Sequence, residues 1–124
     1  MTFSLSVKTV IAIHARFADC EGVRDLVSLE GTLARPMQSG FGQEFYPTVV
    51  EKAAALLHGL ATTQPFIDGN KRTAWSCCTT FLGLHGLTIA AEVSQDDVVE
   101  FVIRISVGDC DIPDIALQLL DWLD

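Results

Sequence analysis

Nine residues near the middle of the chain, Gln64-Pro65-Phe66-Ile67-Asp68-Gly69-Asn70-Lys71-Arg72, concentrate the side chains that can do chemistry. Lys71 and Arg72 are adjacent cations, Asp68 is a carboxylate, and Gln64 and Asn70 are amides. Gln64-Pro65 reads as an extended dipeptide, because proline disfavours the helical region for the residue before it. Asp68-Gly69-Asn70 is turn chemistry: glycine takes a positive φ freely and Asn can cap a helix. Thr73 to His85 is mostly apolar and reads as a buried helix, so the stretch is a loop that ends at a helix N-terminus. Two cations in a first turn oppose the helix macrodipole, at about 0.3–1 kcal/mol each. Their placement makes sense if an anion sits there. Free backbone N–H groups, Asn70, Lys71 and Arg72 would then converge on a phosphate, with Gly69 letting the backbone come close. Asp68 stands just before them as a candidate ligand for Mg²⁺, which binds phosphate through few carboxylates and many waters. The plain alternative is an ordinary capped helix whose cations point to solvent.

The stretch resembles the signature of the Fic/Doc superfamily, His-x-Phe-x-[Asp/Glu]-[Gly/Ala]-Asn-[Gly/Lys]-Arg. Its ending, Asn70-Lys71-Arg72, is closest to the Doc (death-on-curing) toxin branch. Leu33-Ala34-Arg35-Pro36, Phe45-Tyr46-Pro47, the run Glu51 to Leu57, and Thr73-Ala74 also resemble that branch. The resemblance covers residues 5 to 90 well and the C-terminal third loosely. It implies a cytoplasmic toxin that takes ATP and Mg²⁺ and transfers the γ-phosphate to a threonine of elongation factor Tu. Asp68 would hold the metal, and Asn70, Lys71 and Arg72 the phosphate oxygens. The other branch, typical Fic proteins, transfers AMP. Its motif has glycine where Lys71 stands and a second arginine where Trp75 stands, so phosphate transfer is favoured over AMP transfer. One departure is serious: the family's catalytic histidine is replaced by Gln64. A neutral amide cannot take the hydroxyl proton, so the expected enzyme is severely impaired, with its nucleotide site largely intact. Such a replacement can be introduced or selected because an active toxin kills its host, which the otherwise whole motif favours. It can also be natural, giving a pseudoenzyme that only binds. Some Fic proteins carry an inhibitory Ser/Thr-x-x-x-Glu-Gly/Asn helix. Here Phe17 and Leu26 precede Glu21-Gly22 and Glu30-Gly31, so neither pair fits, and a separate antitoxin is the expected partner.

The chain bounds these readings. Its 124 residues suit one domain, residues 1–124, with a single core. No apolar run reaches the length of a membrane span and no signal peptide is evident, so a cytoplasmic protein without membrane contact is expected. The net charge is −8 and the eight basic residues are scattered, which argues against a nucleic-acid partner. Of the four cysteines, no pair has Cys-x-x-Cys spacing, and Cys77 and Cys78 read as small buried hydrophobes.

The elements that must position the motif form an all-α bundle of about six helices with one flap before the third. Ser6 caps a first helix from Val7 to Ala18, with Val10, Ile13, His14 and Phe17 on its buried face. His14 there reads as a core histidine with a satisfied hydrogen bond. A polar connection runs from Asp19 to Val23, and Asp25 starts a second helix that Pro36 ends. Pro36 to Pro47, with Gly40 and Gly42 flanking Phe41, reads as a hairpin or flap. The resemblance implies that an extended target segment pairs with its edge. The third helix spans Thr48 to Ala61, with Val49, Ala53, Leu56, Leu57 and Leu60 as its stripe and His58 at the boundary. Asn70 to His85, apolar nearly all round, is the central helix. Ser94 caps a fifth helix to Val107, with Asp97 at the capping-box position. Asp111 and Pro113 open the last helix.

Overall fold

Five short polar side chains decide where five of the helices start. Ser6, Asp25, Thr48, Ser94 and Asp111 each sit in extended backbone and accept a hydrogen bond from an N–H in the first turn that follows. Replacing such a cap with alanine costs about 0.5–2 kcal/mol. Asp111 and Asp114 close a reciprocal capping box.

The computed structural model describes residues 4–17 and 22–124. Among these, the helices are α1 (Val7–His14), α2 (Leu26–Ala34), α3 (Val49–Thr63), α4 (Asn70–Leu84), α5 (Gln95–Ser106) and α6 (Ile112–Trp122). A 3-10 turn, Arg35–Met37, follows α2 and leads into a hairpin of β1 (Ser39–Gly40) and β2 (Gln43–Glu44). The strands are antiparallel, with Ser39 opposite Glu44 and Gly40 opposite Gln43. The expected all-α bundle with a flap before its third helix is the architecture that forms.

The centre of the bundle is α3, which packs against α2, α4, α5 and α6. Its small residues Ala53, Ala54 and Ala55 are fully buried and let neighbours approach closely. Gly59 is the tightest point: a Cβ built there would lie 2.6 Å from Thr32 Cγ2 on α2. On α4, Ala74, Cys77, Cys78, Phe81 and Leu82 are buried, close to the expected all-round apolar helix. Cys77, Cys78 and Cys110 are free and buried, and Cys20 lies outside the described residues. Burial pushes the Cys77 thiol up to about 12 and the Cys78 thiol higher still, so both are inert packing groups. Among the described residues, no helix is long and apolar enough to cross a membrane.

Two helix ends differ from the sequence reading. The first helix stops at His14, not Ala18, and Ala18 itself lies outside the described residues. Its last turn tightens to i→i+3 bonds, Arg16 N–H to the Ile13 carbonyl at 3.2 Å and Phe17 N–H to the His14 carbonyl at 3.0 Å. The third helix runs on to Thr63, beyond Ala61. The Thr62 and Thr63 hydroxyls donate back to the carbonyls of His58 and Gly59, each at 2.7 Å, and hold that extra turn.

Candidate functional site

The motif loop begins where α3 ends. Gln64 is in the left-handed region, at φ 49° and ψ 62°, and closes the helix as an αL cap. The sequence reading of an extended Gln64-Pro65 is therefore corrected. The bias against αR before proline is satisfied by αL instead, a conformation that costs a non-glycine residue about 1–3 kcal/mol. Tertiary bonds hold it there. The Arg24 guanidinium donates to the Gln64 carbonyl. The Pro65 carbonyl accepts from the N–H groups of Arg24 (2.8 Å) and Asp25 (3.1 Å), and Val23 forms an antiparallel bridge with Phe66.

Phe66 anchors the loop in the core at 1% exposure. The His14 ring stacks on it, with centroids 3.8 Å apart and planes 9° from parallel. His14 Nε2–H donates to the Asp68 carbonyl at 2.7 Å. The core histidine expected on α1 thus satisfies its hydrogen bond on the motif loop itself.

Asn70 takes a different part from the expected helix cap. Its Oδ1 accepts from the Phe66 N–H at 3.0 Å and its Nδ2 donates to the Phe66 carbonyl at 2.9 Å. The amide is spent on closing the loop, and it satisfies both backbone groups of a buried residue. The cap position falls to Gly69, whose φ of 75° makes the turn, and no side chain caps α4.

Of the six helices among the described residues, α4 alone starts without a side-chain cap. Its first-turn N–H groups therefore face a site with no built-in acceptor. Lys71 and Arg72 are exposed beside them. Neither is ion-paired: Lys52–Glu44 is the one salt bridge among the described residues. Asp68 Oδ1 accepts from the Gly69 N–H at 2.8 Å, leaving its other oxygen without a hydrogen bond among those residues. Gln64, Asp68, Gly69, Asn70, Lys71 and Arg72 all line one polar cleft of about 440 Å³, with Phe17 and Ile67 as its apolar walls. Every candidate site residue of the motif is thereby brought together. From Lys71 and Arg72 a second cavity, about 660 Å³, continues between α4 and α5 along Trp75, Thr79, Val98 and Val102.

The donor set fits a magnesium phosphate. Uncapped N–H groups and two cations suit phosphate oxygens, and one carboxylate with a free oxygen suits Mg²⁺. No cluster of three or more His, Cys, Asp or Glu side chains able to hold a metal by themselves occurs among the described residues. A larger cavity, about 860 Å³, lies elsewhere, walled by Phe45, Tyr46 and the α6 residues Ile112, Leu117 and Leu120. It is mostly apolar and contains no motif residue. His58 borders it, half-buried as expected, with its Nδ1 3.5 Å from the Arg35 guanidinium.

Three positions were not readable as site residues. Phe17, expected on the buried face of α1, is partly buried against the core and also walls both motif cavities. Arg24 carries no local signal for its bond to Gln64. Lys52 carries no sequence signal that marks it for burial, and it is buried.

Comparison with known proteins agrees with this geometry. Residues 4–82 match the Fic/DOC family. The protein named Toxin Doc of Mycolicibacterium smegmatis (strain ATCC 700084 / mc(2)155) is 40% identical over 97 residues, which are 78% of this chain and 75% of its own. With the match running through the motif cleft and the helices on either side of it, this chain belongs to the Fic/Doc family.

Proposed function

We propose that the chain is the toxin of a toxin–antitoxin pair and that its cleft is built to transfer the γ-phosphate of ATP to a threonine hydroxyl of a translation factor like elongation factor Tu. One observation carries the reading: α4 begins uncapped, with Lys71 and Arg72 free of ion pairs among the described residues and Asp68 beside them in one cleft. Phosphoryl transfer asks a protein mainly for positioning and charge neutralisation, and these groups supply both. Mg²⁺-bound ATP, when present, supplies the transferable phosphoryl group and a metal that neutralises its charge. Asp68 would hold the metal through its free oxygen. Lys71, Arg72 and the N–H groups of α4 would hold phosphate oxygens. Asn70 keeps the loop closed through Phe66 while its own N–H faces the helix end.

Phosphate transfer is favoured over AMP transfer by what stands next to the motif. Lys71 fills the cleft where a glycine would leave room. Trp75 walls the adjoining cavity and meets Trp122 edge-on, with centroids 6.1 Å apart, where a cation would be wanted for terminal phosphates. The relative named as a toxin supports the same branch and, with it, an antitoxin partner.

Gln64 lines the cleft, and it holds the motif position at which the family resemblance expects the general base that takes the hydroxyl proton. Its amide cannot, and loss of a general base lowers rate by about 10²–10⁴-fold. Purified Gln64→His protein, incubated with elongation factor Tu and labelled ATP, tests the proposal. Label from γ- but not α-labelled ATP should appear on a threonine. Label from the α position alone would show AMP transfer. No label, with Mg-ATP still bound, would leave a protein that binds and does not transfer.

A further inference from the structure

One buried charge among the described residues lies outside the motif cleft. Lys52, in the second turn of α3, is 2% exposed. Its Nζ donates to Glu44 Oε1 at 2.8 Å, on β2 of the hairpin, and to the Tyr46 carbonyl just beyond it. An ammonium is this deeply buried only when paired, and here both partners belong to the hairpin segment. The rest of that segment is set as tightly. The Phe45 N–H donates to the Gln38 carbonyl at 3.0 Å. The Phe45 ring lies over Gly40 so closely that a Cβ there would meet its Cζ at 2.8 Å.

The tip contrasts with this base. Phe41 and Gly42 both have positive φ, 53° and 76°, as a two-residue hairpin turn of the primed type requires. Asn or Gly takes the first of these positions without strain, whereas a phenylalanine is strained there and here is also fully exposed. Each of the two strands keeps one outer edge unpaired by any other strand among the described residues. A fixed base, two free edges and a displayed aromatic are the parts of a docking element.

We infer that Lys52 is a positioning residue: its buried ammonium is the strut that holds the 38–46 hairpin on α3 in the orientation that receives the protein target. The inference rests on the proposed transfer to a protein hydroxyl. The same helix carries Gln64 at its other end, so the strut places the docking hairpin and the reacting position on one rigid rod.

The test uses the full chain with Lys52→Met, which keeps the stem and removes the charge, and with Glu44→Ala, whose side chain is 53% exposed and whose loss leaves the core packed. Backbone amide exchange by mass spectrometry is the first readout. In both variants amides of 38–47 should exchange faster by about tenfold or more, while those inside α3 and α4 stay unchanged. Unchanged hairpin exchange in Glu44→Ala, or an even rise along the whole chain, overturns the strut. Should Lys52→Met fail to fold, Glu44→Ala still decides. The second readout, in the Gln64→His background, is transfer to elongation factor Tu. KM for the protein should rise about tenfold or more, with kcat and the KM for ATP little changed. Local loosening without that rise overturns the positioning role. If Gln64→His alone labels nothing, the transfer reading fails by itself, and the exchange result still decides whether Lys52 holds the hairpin.

Discussion

Position 64 governs what the cleft can do. Its left-handed backbone is imposed by Arg24 and Pro65, and histidine is enriched several-fold in that region among non-glycine residues. Gln64→His should therefore fold with an unfolding midpoint within about 2 °C of the parent while raising transfer about 10²-fold or more, as calorimetry and labelling would show. His58 gives a second test at this scale. Burial, and next the Arg35 guanidinium, hold its pKa below the ordinary 6.5, with Asp111 opposing. Above the unfolded value the imidazole is neutral in both states and costs nothing. As pH falls through 6.5 the unfolded chain takes up a proton that the folded chain refuses, so stability falls until the folded-state value is passed. Denaturant titrations from neutral to mildly acidic pH should show this loss, and His58→Gln should flatten it.

At the scale of elements, the motif loop is held by three clamps that come from different parts of the chain: Arg24, His14 and Asn70. Asn70→Ala would leave the N–H and C=O of buried Phe66 unpaired, at about 1–3 kcal/mol for each group left without a partner. The expected result is a lower unfolding midpoint together with weaker nucleotide binding. A variant that only lost a phosphate contact would keep its midpoint. The α2–α3 contact gives a purely structural check. Gly to Ala inside a helix ordinarily gains about 1 kcal/mol. Gly59→Ala should instead destabilise by about 1–3 kcal/mol, because its methyl would press on Thr32 Cγ2. Denaturant midpoints of Gly59→Ala and of the double variant with Thr32→Ser would show whether that methyl is the cause.

Over the whole molecule, what was legible in the sequence is what lies within one helical turn. Ser6, Asp25, Thr48, Ser94 and Asp111 act on N–H groups three residues away, so these five helix starts could be read to within a residue. The motif cleft was legible for the same reason: its six residues are nearly consecutive. The clamps were not. His14 meets Asp68 across 54 positions and Arg24 meets Gln64 across 40, and nothing local marks either partner. Lys52 was not singled out because nothing local marks a lysine for burial, and its partners Glu44 and Tyr46 belong to the hairpin segment before α3. Asn70 was read as a cap because Asn commonly is one. The need to satisfy Phe66, set by its burial, won instead.

The central claim is that the open start of α4 binds a magnesium nucleotide, and isothermal calorimetry on the chain with Gln64 in place tests it most directly. Binding of ATP should require Mg²⁺ and should weaken at least about tenfold in Arg72→Ala and in Asp68→Ala, the loss of a charge-assisted contact to phosphate or metal. Both variants should keep the parent's unfolding midpoint in the absence of ligand. Equal affinity in all three proteins, or no Mg²⁺-dependent heat in the parent, would contradict the claim.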